Sequence, residues 1–247
     1  MGQHRRDRQR DQAGFVLIEL RVAAPLAPIR ILTRPTVSWG NLGGLVSFTM
    51  ETSAIFLMTL YLQEVLGYSA LTAGLVFAVL GVTAFVGGIL APKIIARVGS
   101  KNSMWGGLLL QGVSTAPLFL VSHSPSSVVL VIVATSIAGF AHMTAIVSYM
   151  VTATSGLSND EQGMATGLTS MTQQVGITIG IPILSAIATS RIHVLQATVS
   201  SRDAVLGGVT LAVLVDACIA VAGAVLIALF LRRSSAAAMP VAATEAA

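Results

Sequence analysis

The chain has 247 residues, of which 54% are hydrophobic and 10% charged, and its formal net charge is +4. Soluble domains carry about 25% charged residues, so a water-soluble fold of this composition would lack the polar surface to cover itself. Nor does the positive balance point to nucleic acid: seven of the 14 Lys and Arg lie before residue 36 and none falls inside an apolar stretch, which reads as membrane topology rather than a phosphate-binding face.

Residues 1–35 form a basic segment and connector. The first 14 are charged and Gln-rich and are expected to be disordered. The run Phe15–Ala27 is a candidate signal-peptide core, but Glu19 and Arg21 interrupt it. A six-helix transmembrane domain then occupies residues 36–231. Its apolar stretches are Val37–Leu62, Ala70–Pro92, Met104–Val121, Val128–Val151, Ala165–Ser190 and Leu206–Leu231. A helix needs roughly 20 apolar residues to cross the hydrocarbon core. Each run exceeds ordinary strand length and none alternates polar with apolar, so helices are the only sensible reading. The fold class is therefore all-α integral membrane. Residues 232–247 are Ala-rich, carry only Glu245 after Arg233, and read as a disordered tail. The single cysteine, Cys218, lies in the sixth stretch and excludes an intrachain disulfide.

Positive charge sets the orientation. With the N-terminus inside, twelve Lys and Arg fall on the inner side and only Arg191 and Arg202 on the outer side. Both termini are therefore expected in the cytoplasm of a multi-pass protein of the plasma (inner) membrane. An odd number of spans would misplace Arg232 and Arg233.

The second and fifth stretches share a pattern. Ala73-Gly74-Leu75 matches Thr166-Gly167-Leu168, and thirteen residues later Gly87 matches Gly180. Pro92 and Pro182 both sit late in their stretches. Two three-helix units of opposite topology would produce this, an arrangement that builds transporter halves.

Several segments carry a family resemblance. Tyr61-Leu-Gln-Glu-Val-Leu-Gly-Tyr-Ser-Ala-Leu-Thr-Ala-Gly-Leu75 resembles the loop after the first helix of the C-terminal half in the major facilitator superfamily, closest to the fourteen-span drug:proton antiporters. Gly88-Ile-Leu-Ala-Pro-Lys-Ile-Ile-Ala-Arg-Val-Gly-Ser-Lys101 resembles the second copy of that superfamily's cytoplasmic loop motif. Glu161-Gln-Gly-Met-Ala-Thr-Gly-Leu168, continuing through Gln173 to Gly180, resembles the entry to the penultimate helix. Phe15-Val-Leu-Ile-Glu-Leu-Arg21 with Pro25-Leu26 resembles the connector before the C-terminal half. The resemblance covers residues 15 to about 231. It implies that the six stretches are the last six of fourteen, with the N-terminal half and its usual proton-coupling acids absent. Ala96 stands where the loop motif often has an acid, so a charge-relay role does not carry over to Arg97, which is kept as structural or coupling.

Only Glu51 and Asp216 place acidic groups deep in the apolar stretches. Glu51 is central in the first, with Gly44, Ser47, Ala54, Ile55 and Met58 on its helical face. A carboxylate at the bilayer centre costs about 2.5–3.5 kcal/mol on insertion scales, so the residue marks either a proton-loading site or a structural hydrogen bond. His142 is central in the fourth stretch. It titrates near neutral pH in water and is the second proton-coupling candidate; a neutral interhelical histidine is the alternative. The resemblance places both on cavity-lining helices. Asp216, on a helix peripheral by resemblance, is assigned a structural or coupling role. Gln173 and Gln174, and Tyr149 on the face of His142, are substrate-binding candidates, although polar side chains in membrane helices commonly bind other helices. Gln111 in the third stretch reads as outer and structural.

No enzyme chemistry is legible. No His/Cys cluster has metal spacing, no GxxxxGK loop is present, and no nucleophile elbow supports a Ser/His/Asp set. No catalytic residue, metal or cofactor is expected; a proton gradient would supply the energy. The resemblance implies a transporter half that exports amphipathic or cationic drug-like compounds by proton antiport with alternating access. Its partners would be the bilayer, protons, a small-molecule substrate, and an N-terminal half or a second copy. The alternative is a truncated, transport-inactive fragment or an accessory membrane subunit. A six-span channel is weaker, because no pore loop or ring of charge is visible.

Overall fold

The structure is a computed structural model and describes residues 34–231. The basic N-terminal segment, the connector motif and the Ala-rich tail lie outside the described residues.

The first stretch is α1 (Pro35–Leu60), continued by a wider π turn over Tyr61–Val65. The second divides into α2 (Ala70–Val76) and α3 (Ala78–Val98) at Phe77. Ser69 begins α2 by accepting a hydrogen bond from the Thr72 amide at 3.2 Å, which satisfies one of the free donors of a helix start. Pro92 lies inside α3, where it withdraws one backbone donor from the helix, and does not end it. Gly99, at φ 83°, stops α3 before α4 (Ser100–Thr115).

That third stretch differs most from a plain apolar helix. Pro117 follows the end of α4, and the chain tightens into a 3-10 segment, Ala116–Leu120. Five helical segments of the described residues are long and apolar enough to cross a membrane, and α4 is not among them. Its first turn carries Ser100, Lys101, Asn102 and Ser103, which dilute the apolar run. With its 3-10 extension it nevertheless rises about 34 Å, enough for a hydrocarbon core of about 30 Å.

Two long helices follow, α5 (Ser127–Thr154) and α6 (Asn159–Leu195), and α7 (Ser201–Phe230) completes the set. The 37 residues of α6 extend about 55 Å, well beyond Ala165–Ser190. Its added first turn is a capping box, in which Glu161 accepts the Ser158 amide at 3.2 Å. The described residues contain no strand.

α3 packs on α5, and α6 packs on α1. The contacts at these crossings correspond. A methyl group at Gly87 would lie 2.7 Å from the Phe140 carbonyl oxygen, and one at Gly180 would lie 2.5 Å from that of Thr49. The Thr83 hydroxyl donates to the Ser136 carbonyl at 2.7 Å, while Gly176 lies against the Leu45 carbonyl. Gly87 to Gly180 and Thr83 to Gly176 are both offsets of 93 residues; Thr49 to Phe140 and Leu45 to Ser136 are both offsets of 91. One operation therefore relates α1 to α5 and α3 to α6. This is the contact pattern of two inverted three-helix repeats.

Two apolar clusters fill the unit. One gathers Leu57, Met58, Tyr61, Leu118, Leu184 and Val213; the other gathers Phe48, Met104, Leu108, Tyr149, Ile227 and Leu231. Outward, α3 presents Val82, Phe85 and Ile89, all more than half exposed. Such a face suits lipid, which accepts apolar side chains that water would not.

Candidate functional site

Ser47 and Glu51 lie one turn apart on the inward face of α1. The close approach of α5 is set by Gly44, where a side chain would collide with the Tyr149 ring at 2.7 Å. From α4, Gln111 reaches between them. Its amide nitrogen donates to Glu51 Oε2 at 3.1 Å and to the Ser47 carbonyl at 3.2 Å. The Ser47 hydroxyl donates to Gln111 Oε1 at 3.0 Å and lies 2.9 Å from His142 Nδ1 on α5. All four side chains are buried. They occupy the level where the two apolar clusters meet.

The donor inventory gives this network a direction. A serine hydroxyl has one hydrogen. With that hydrogen on Gln111, the contact to His142 requires the imidazole to carry its own hydrogen on Nδ1. The chain then runs from His142 to Ser47 to Gln111, and the Gln111 amino group donates to the Glu51 carboxylate. Phe48 meets the His142 ring edge-on at 5.4 Å between centroids and fixes its plane.

Asp216 on α7 is 1% exposed, and neither carboxylate oxygen has a hydrogen-bond partner. It sits at the level of the network: the backbone beside Gln111, at Gly112, packs on the Ala217 carbonyl, 3.0 Å from where a methyl group would be.

The two proton-coupling candidates therefore belong to one network, and their positions share the 91-residue offset that relates α1 to α5. The other candidates stand apart. Tyr149 is fully buried and donates to the Thr169 carbonyl at 2.6 Å, tying α5 to α6. Asn41 joins that contact through Tyr149 and accepts from Thr172 at 2.7 Å. Gln173 is half-buried and Gln174 exposed; beside them Ser170 and Thr178 are exposed, with hydroxyls bonded to their own helix. Arg97 is exposed in the last turn of α3, where a cation complements the helix dipole. No metal-binding cluster occurs among the described residues.

Gln111 is the residue that sequence reasoning misplaced. It is 1% exposed and ties α4 to α1, rather than lying on an outer face. The signal was its neighbourhood: Gly107 and Gly112 let α4 approach α5 and α7 closely. A methyl group at Gly107 would meet the Ala145 amide nitrogen at 2.9 Å.

Comparison with known proteins agrees with this architecture. The family model described as Major Facilitator Superfamily matches residues 2–181. A cephamycin export protein of Amycolatopsis lactamdurans is 31% identical over 195 residues, covering 71% of this chain and 37% of that protein. A lincomycin resistance protein of Streptomyces lincolnensis is 28% identical, covering 72% of this chain and 37% of its own length. A puromycin resistance protein of Streptomyces alboniger is 29% identical, with 71% and 35% covered. The chain spans little more than a third of the length of these curated relatives. It belongs to the major facilitator superfamily of membrane transporters.

Proposed function

We propose that this chain is the C-terminal half of an exporter of amphipathic or cationic drug-like compounds, driven by exchange for protons. The observation that carries the reading is the buried network of Glu51, Gln111, Ser47 and His142 in a six-helix unit of this family. It places two protonatable groups on two different helices joined by hydrogen bonds. The relatives are named for cephamycin export and for lincomycin and puromycin resistance, which supports antibiotics as the substrate class. The reading has both termini in the cytoplasm and the protein in the plasma membrane. It needs no cofactor beyond the proton gradient.

Rocking of two halves about a midplane site would provide alternating access. Protonation of Glu51 weakens its charge-assisted bond from Gln111, which frees α1 and α4 to shift relative to each other. Substrate contacts would come from the uncovered side of α6, where Gln174 is exposed.

That same uncovered side favours a second reading. Ser170, Gln174 and Thr178 present polar groups outward from a helix of membrane length. Polar groups in the hydrocarbon region face a bundle interior or a water-filled cavity, so this chain alone is a fragment or accessory subunit that acts once a partner half or a second copy covers the stripe. Ethidium and puromycin efflux from cells separates the two. Efflux from cells expressing the chain alone supports assembly of two copies. Efflux that requires a co-expressed N-terminal half supports the half-transporter. Absence of efflux in both, with insertion confirmed, contradicts the transport reading for these substrates.

A further inference from the structure

We propose that the groove where α3, α4 and α5 meet binds one anionic phospholipid, with Arg97 and Lys101 at its headgroup and Gly106 facing an acyl chain. The site is separate from the Glu51 network and does not depend on the transport reading.

The groove is a cavity of about 190 Å³. Ile94 and Val98 line it from α3, Asn102, Gly106 and Leu110 from α4, and Phe140 from α5. From Asn102 to Leu110 it follows eight residues of helix, about 12 Å, which is most of the roughly 15 Å of hydrocarbon in one leaflet. The groove exists because α4 has no side chain at its centre: a methyl group at Gly106 would meet no atom within 4 Å. Val98 and Leu110 are 47% and 40% exposed, so the groove opens sideways toward lipid instead of closing into the core.

Its end nearest Gly99 is cationic. Arg97 directly precedes the lining residue Val98, and Lys101 directly precedes the lining residue Asn102. Lys93 stands one turn before Arg97. No Asp or Glu occurs between Glu64 and Asp160, so the three helices that build the groove contain no acid to neutralise these cations. Among the described residues none of the three forms an ion pair. Trp105, one turn beyond Lys101, donates its indole hydrogen to Asn102 Oδ1 at 3.2 Å, and tryptophan in membrane proteins settles at the headgroup level. Charge at the mouth, an indole at the interface and an apolar slot beyond it match the order of groups along a phospholipid. Basic pockets between membrane helices recognise anionic headgroups, whereas a zwitterionic headgroup brings no net charge to Arg97 and Lys101. The chain's own N-terminal segment, with seven Lys and Arg before residue 36, carries the wrong sign of charge for this mouth.

The test is native mass spectrometry of the purified full chain in mild detergent, titrated with dioleoyl phosphatidylglycerol or dioleoyl phosphatidylcholine. The expected result is one phosphatidylglycerol retained per chain in preference to phosphatidylcholine. Arg97→Gln and Lys101→Gln should each weaken that binding about fivefold, the scale of one cation near a lipid surface. Gly106→Leu, which fills the groove without meeting protein, should weaken it while both cations remain. Arg191→Gln, at the C-terminal end of α6, should leave it unchanged. Equal retention of the two lipids overturns the proposal. So does an equal loss in Arg191→Gln, which would show attraction to the protein's overall charge, or full competition by glycerol phosphate, which would show a site for free anions. Arg97 is exposed, so its variant keeps the test open should Gly106→Leu fail to fold. The readout needs no transport, so a chain that fails to export ethidium can still satisfy or overturn it.

Discussion

Gln111 shows how a single residue can organise this core. Its amide contacts Ser47 twice and Glu51 once, so one side chain satisfies a hydroxyl, a backbone carbonyl and a carboxylate that water cannot reach. Truncating it leaves the Glu51 carboxylate without that partner, and a buried group left unpaired costs about 1–3 kcal/mol. Gln111→Ala is therefore expected to destabilise the folded unit by about that amount, measured by thermal unfolding in detergent; unchanged stability would show the network to be energetically idle. At this scale the sequence was partly legible. Glu51, His142 and Asp216 stood out because ionisable groups are rare in apolar stretches. Their partners did not, because a hydrogen bond between α1 and α4 joins residues 60 positions apart, and no local pattern reports it. Tyr149 was read as a face for substrate because it shares a helical face with His142. In the fold, that position lies at the α5–α6 crossing, where its hydroxyl serves Thr169.

Among the elements, the glycines at the crossings decide the packing. Gly87 and Gly180 touch backbone on α5 and α1, whereas Gly88 has open space around it. Overpacking a tight contact costs about 1–3 kcal/mol. Gly87→Val and Gly180→Val are each expected to lower the unfolding temperature of the purified protein, while Gly88→Val leaves it nearly unchanged. Equal effects at all three positions would contradict the repeat as drawn. Here the sequence was more legible than at the residue scale, since Gly87 and Gly180 were already matched by the pattern that precedes each. What the pattern hid were the ends and breaks of helices. The third apolar stretch reads smoothly across Thr115, yet Pro117 lacks an amide hydrogen and its ring crowds the carbonyl four residues back, so the helix tightens there. The fifth stretch reads as ending near Ser190, yet polar residues at both ends continue the helix because Ser158 and Glu161 cap its start.

For the whole molecule, apolar composition and the placement of cations prefigured a multi-pass helical unit, and the family assignment rests on the match over residues 2–181. The orientation makes its own prediction. In a Cys218→Ala background, Ser124→Cys in the turn before α5 should react with a membrane-impermeant maleimide added outside intact cells. Lys101→Cys, in the first turn of α4, should react only after permeabilisation; the reverse pattern would invert the topology. The account as a whole rests on Glu51 as the point where proton and substrate movements meet. The most direct test is ethidium efflux driven by an imposed pH gradient in cells co-expressing the chain with an N-terminal half, comparing wild type with Glu51→Gln at equal membrane abundance. The account predicts gradient-driven efflux in the wild type and a loss of at least about tenfold in the variant, the scale of a 1.4 kcal/mol change in coupling. Efflux in the variant that keeps its full dependence on the pH gradient would contradict it.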